Sequence, residues 1–151
     1  MNLKNKRYVI LEIIPTAVDP KKGDVAQLSA LKINGIKLED RFDYRLDKSK
    51  IKIPDILRMV DYDNESFKYY KTTKTIMKHF KNFIGDLPLL IIDNTYTNNY
   101  LRGLENKKES VFKYLGLDVT FDVFDKLMDK YKLEPSNHLV DLLYEALIRE
   151  L

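Results

Sequence analysis

The stretch Tyr8-Val9-Ile10-Leu11-Glu12-Ile13-Ile14-Pro15 decides how this chain is read. A run this rich in β-branched and aromatic side chains, stopped by a proline, predicts a strand buried on both faces. Glu12 is its only charge. Burial penalises an ionised carboxylate, so Glu12 needs a partner, a bound metal or a raised pKa. Side chains alternate along a strand, which puts Glu12 on a face with Ile10 and Ile14 and not with Leu11 or Ile13.

Working outward, residues 16–24 carry the Asp-Pro and Gly-Asp punctuation of a loop. A second strand is expected over 26–33. Asn34-Gly35 then signals a hairpin of type I′ geometry, and a third strand follows over 36–46. Ile36, Leu38 and Phe42 alternate in part with charged residues, so the third strand should have a wet face or lie at a sheet edge. Residues 48–63 read as irregular, with one helical turn near 56–59.

The period then changes. Ile76, Met77, Phe80, Phe83 and Ile84 recur at helical spacing over 72–84, and Gly85 supplies a C-cap. A short apolar run at 87–92 predicts another buried strand, and Asp93-Asn94-Thr95 offers N-cap chemistry for a helix reaching Leu101. Residues 104–116 fit strand or helix. A helix capped by Thr120 is expected over 120–132, and a last one over 138–151. This order of elements predicts a mixed sheet covered by helices.

With 151 residues, 44% hydrophobic and 32% charged, the chain supports one sizeable core, and a single domain over 1–151 is expected. Without cysteine there is no disulfide framework, thiolate nucleophile or cysteine zinc site. The charged N-terminus leads into a strand containing Glu12 and Pro15, which suits neither a signal peptide nor a membrane span, so a cytoplasmic protein with no membrane partner is expected. A net charge of +3 permits contact with nucleic acid without demonstrating it.

Glycine-rich phosphate loops, nucleophile elbows and His-Glu-x-x-His patterns do not occur. Lys71, Lys74, Lys78 and Lys81, with Tyr69 and Tyr70 just before them, have the cationic and aromatic character that grips single-stranded nucleic acid. Amphipathicity alone favours the simpler reading, a solvated helix face. His79 reads as a surface residue. His138 could act as a base or a ligand, against the plainer role of an exposed or capping histidine. In the last helix Asp141 shares its side with Tyr144 and Ile148, a second apolar patch that could bury against a protein partner or a second copy of the chain.

Residues 8–24, together with Leu28-Ser29-Ala30-Leu31-Lys32-Ile33, Asp40-Arg41-Phe42, Ile53-Pro54, Phe83-Ile84-Gly85-Asp86, Asn94-Thr95-Tyr96, Tyr100-Leu101 and Leu133-Glu134-Pro135, resemble the DnaQ-like (DEDDh) 3′-5′ exonucleases of the ribonuclease H-like superfamily. The resemblance spans nearly the whole chain. It implies an α/β fold: a mixed sheet of three antiparallel strands plus parallel strands, flanked by α-helices. It also implies two divalent metals that activate water for phosphodiester cleavage, held by two acids on the first strand, an acid in the second motif and an acid in the last helix, with a histidine base.

Laid onto this chain, the family's positions fall on Glu12, Ile14, Thr97 (Asn98 if the register slips by one), Asp141 and Ser136. Three of those five, Ile14, Thr97 and Ser136, have lost the expected group. Glu12 and Asp141 remain as metal ligands, and two acids support at most one weakly bound Mg²⁺ or Mn²⁺.

The expectation is therefore a degenerate exonuclease-fold protein, inactive or severely weakened, serving as a nucleic-acid-binding or scaffolding module for single strands. One alternative is an active exonuclease with a rearranged site of Glu12, Asp141, Asp93 and His138. Another is a protein-interaction subunit or homodimer, built through the C-terminal helix, that binds no nucleic acid.

Overall fold

A computed structural model describes residues 3–60, 62, 67–104, 112–117, 119–134 and 138–151, without the side chains of 94–96. The expected strand is β1 (Arg7–Pro15), followed by β2 (Val25–Asn34), β3 (Lys37–Leu46), α1 (Pro54–Met59), β4 (Lys68–Tyr70), α2 (Thr73–Ile84), β5 (Leu89–Ile91), α3 (Asn94–Leu104), α4 (Phe121–Tyr131) and α5 (Leu139–Glu150). The sheet order is β4-β3-β2-β1-β5. β1 and β3 each pair antiparallel with β2, while β5 joins β1, and β4 joins β3, in parallel. This is the mixed, helix-flanked sheet anticipated above.

Strand alternation gives the sheet two distinct faces. Val9, Leu11, Ala26, Leu28, Ala30 and Phe42 pack beneath Ile76, Met77, Phe80 and Ile84 of α2 and Tyr100 and Leu101 of α3. On the other face Tyr8, Ile10, Leu31 and Ile33 pack beneath Phe124 and Met128 of α4 and Val140, Leu143, Ala146 and Leu147 of α5. The helix ends follow the sequence: Thr72 and Thr120 accept hydrogen bonds from Thr75 N–H and Val123 N–H, and Gly85 at φ 55° closes α2.

Three local features differ from expectation. The hairpin loop is Gly35-Ile36, because Asn34 still pairs with Lys37, and only Gly35 has a positive φ, of 66°. That pattern belongs to a II′ turn, with glycine first, and not to a type I′ turn. A Cβ on Gly35 would meet the Lys4 carbonyl oxygen at 2.4 Å, so the site admits nothing larger.

The second difference is β3. Its residues Lys37–Arg41 are exposed, but Asp43 and Arg45 on its supposed wet side are buried, and the unforeseen β4 covers its outer edge at Tyr44, Arg45 and Leu46. Third, the ambiguous stretch contributes parallel bridges to the outer side of β5, Leu89 with Tyr114 and, just beyond it, Ile92 with Val119. No helix of the described residues is long and apolar enough to cross a membrane.

Candidate active-site cleft

A cleft of about 460 Å³ opens where the parallel strands β1 and β5 end. Ligands in open α/β sheets collect at such carboxyl ends. Glu12, Ile14, Asp93 and Thr97 all line it, so four positions singled out in the sequence come together. The rest of the wall is apolar: Leu11, Ile13, Pro15, Met59, Ile92, Phe121 and Leu139. These apolar neighbours carry no chemical motif, and no sequence signal marks them.

Glu12 has found a partner, and it is a helix. Its Oε2 accepts the Leu139 N–H at 3.2 Å, in the first turn of α5. His138, the N-cap residue, makes no side-chain capping bond. Glu12, 127 positions from Leu139, therefore fills that role with a carboxyl oxygen at the positive end of the helix.

Burial nevertheless governs the proton. With Glu12 only 9% exposed, its pKa is pushed up to about 7, because loss of water outweighs the Leu139 and Val140 N–H groups and the Arg45 charge that favour ionisation, while Asp43 adds to the rise.

Behind Glu12 lies a buried polar row absent from the sequence reading. β-Pairing sets Glu12 beside Ser29, and Ser29 beside Asp43; the next row is Ile14, Gln27 and Arg45. Ser29 Oγ donates to Asp43 Oδ1 at 2.9 Å, and Gln27 Nε2 donates to Ser29 Oγ at 3.2 Å. Arg45, with no exposed surface, pairs with Asp43 and lies 4.8 Å over the Phe67 ring. Its Nε and Nη2, and Gln27 Oε1, have no hydrogen-bond partner among the described residues.

Asp141 is placed elsewhere. Arg41 of β3 holds it through two hydrogen bonds, Nη2 to Oδ1 at 2.5 Å and Nη1 to Oδ2 at 3.2 Å, and it does not line the cleft. Asp93 sits at the mouth in a left-handed conformation, φ 55°, where its N–H donates to Val119 O and its carbonyl accepts Thr97 N–H. Aspartate tolerates that conformation better than most residues. Ser136 lies outside the described residues. Tyr144 of the second α5 patch is engaged within the chain, donating its hydroxyl to Ile36 O at 2.7 Å, while Ile148 stays 37% exposed.

A two-metal centre needs several carboxylates converging within a few ångströms. The groups present do not fit it. Glu12 is bonded to the α5 backbone, Asp141 is bonded to Arg41, Thr97 carries no charge, and among the described residues no three acids or histidines form a metal-binding group.

No family model and no curated protein sequence matches the chain. Solved structures do. Exonuclease I in complex with the inhibitor BCBP aligns at 10% identity with a TM-score of 0.52, over 87% of this chain and 31% of that one. The zinc-bound form of the E. coli exonuclease I complex with single-stranded DNA aligns at 10% identity and 0.53, over 97% of this chain and 40% of that one. The chain thus spans well under half the length of either. With the cleft at the carboxyl ends of β1 and β5, this likeness establishes an α/β fold resembling the ribonuclease H-like fold of the exonucleases.

Proposed function

We propose that the chain is an exonuclease-fold module that holds single-stranded nucleic acid or scaffolds a complex without cutting phosphodiester bonds. The observation that carries this reading is the separate engagement of its two retained acids. Glu12 caps α5 and Asp141 is clamped by Arg41, so neither is available to bridge a metal with the other. Support for nucleic acid as the occupant comes from the fold neighbour solved with single-stranded DNA. The cleft that remains is largely apolar, suited to packing against a base or a side chain and poorly suited to a doubly charged ion.

Incubating purified protein with Mg²⁺ or Mn²⁺ and 5′-labelled single-stranded DNA or RNA tests the proposal. The substrate should keep its length, and calorimetric titration should detect no metal binding at two sites. Stepwise loss from the 3′ end, abolished by Glu12→Ala, would overturn the reading. Asp93 gives the rival reading its one specific foothold, since it lines the cleft together with Glu12. An active, rearranged site would lose its activity on Asp93→Asn as well.

A further inference from the structure

The cleft is not where this chain keeps its positive charge. Phe67–Gly85 contains Lys68, Lys71, Lys74, Lys78 and Lys81 and no aspartate or glutamate, a charge of +5; since the whole chain carries +3, the remainder is net −2. All five lysines are exposed, Lys68 on β4, Lys71 in the link that follows it, and Lys74, Lys78 and Lys81 on α2. Among the described residues no carboxylate pairs with Lys68, Lys71, Lys74 or Lys78. Other helices neutralise their cations: Lys126 pairs with Asp122, Lys130 with Glu150 and Arg149 with Glu145.

Aromatic surface lies at the head of this stripe. Tyr69 is 58% exposed, with one face stacked on Tyr62 at 6.0 Å and 11°. Lys48 reaches over the Tyr62 ring at 5.9 Å and Lys50 Nζ donates to Lys71 O at 2.9 Å, so one further cation lies at the stack and another at the lysine stripe. Lys74, Lys78 and Lys81 fall on one side of α2 and cover about 10 Å of helix.

We infer that β4 and α2 form a second binding surface, outside the cleft, that takes the phosphate backbone of a single-stranded nucleic acid along the lysines and stacks a base on Tyr69. Lys68, Lys71, Lys74 and Lys78, without a carboxylate partner among the described residues, give the electrostatic grip, and the exposed part of Tyr69, held by Tyr62 and by an edge contact with Phe67, gives an aromatic platform for an unpaired base. A membrane surface fits less well, because the apolar side of α2, Ile76, Met77, Phe80 and Ile84, is buried in the core and has nothing to insert. The inference rests on the function proposed above only in taking nucleic acid as the partner.

The test is fluorescence anisotropy with a labelled oligothymidylate of about 16 nucleotides, titrated between about 50 and 200 mM salt. Wild type should bind, with affinity falling linearly in log salt. Lys74→Gln/Lys78→Gln should reduce that slope by about 1.4. Tyr69→Ala should weaken binding about tenfold and leave the slope unchanged. Lys126→Gln/Arg149→Gln, which removes two charges elsewhere, should match wild type, and thermal unfolding confirms that each variant folds.

The inference is overturned if wild type fails to bind at the lowest salt, if the Lys74/Lys78 variant keeps the wild-type slope, or if anionic vesicles or a poly-glutamate peptide bind more tightly than the oligonucleotide. Electrophoresis of the recovered oligonucleotide reads the other proposal independently: a shortened product sinks the non-cutting function, whereas an unchanged slope sinks this surface.

Discussion

The two faces of the sheet solve different problems. Beneath α2 and α3 the buried surface is apolar apart from the hydroxyls of Tyr70 and Tyr100, and Phe42, Phe80 and Phe112 meet there as adjacent rings. Beneath α5, β1 and β2 are apolar at Ile10, Leu31 and Ile33, and the three central strands are polar toward the cleft, through Glu12, Ser29, Asp43, Gln27 and Arg45. Buried polar groups cost stability unless they are matched, so their concentration on one face separates the part that secures the fold from the part that shapes the cleft.

Substitutions on each side should make that contrast measurable. Phe80→Ala, on the dry face, empties a fully buried ring site and should cost about 4 kcal/mol in urea unfolding. Arg45→Met on the other face strands the Asp43 carboxylate and should cost about 3 kcal/mol. The paired change Asp43→Asn/Arg45→Met should recover most of that loss, and a double variant no more stable than Arg45→Met would show that the guanidinium matters for more than its charge partner.

Glu12 predicts a pH effect of its own. Its folded pKa, about 7, lies above the ordinary 4.5, so its contribution to stability is complete below about pH 4.5 and is lost as the pH rises through 7. That difference is worth about 3 kcal/mol. Glu12→Gln keeps an oxygen for Leu139 N–H and cannot ionise, so stability measured at pH 5 and pH 8 should fall less in the variant than in wild type. Equal slopes would place the ionisation elsewhere. Smallest of the set, Arg41→Ala breaks a half-exposed ion pair with Asp141 and should change stability by less than about 1 kcal/mol.

The dry face could be read from the chain directly, because hydrophobic period is a local signal: Ile76, Met77, Phe80 and Ile84 mark the buried side of α2, and Thr72 and Gly85 mark its ends. The polar face could not. Asp43 and Arg45 alternate with apolar neighbours as the residues of a wet strand do, and their surroundings become interior with the help of distant segments that have no period of their own, the three-residue β4 along the edge of β3 and the Phe67 ring against Arg45. Glu12 was visible as an anomaly, yet its partner is a backbone N–H, which every residue but proline possesses and no sequence pattern advertises. Asp141 was legible as a carboxylate on a helix, but its direction depends on Arg41, a long-range pairing set by sheet register.

The bond from Glu12 to Leu139 also dictates an order of events during synthesis. β1 is made before α5, and 127 positions separate Glu12 from Leu139, so until that length of chain has been added the strand carries an acid whose intended neighbour has not yet been built. Until α5 arrives, Tyr8, Ile10, Leu31 and Ile33 also lack their cover. Native contacts of such long sequence separation form slowly. In the interval, an ionised and hydrated Glu12 works against any premature burial of that face. The residue that anchors the finished helix thus also guards the unfinished sheet from closing on the wrong element.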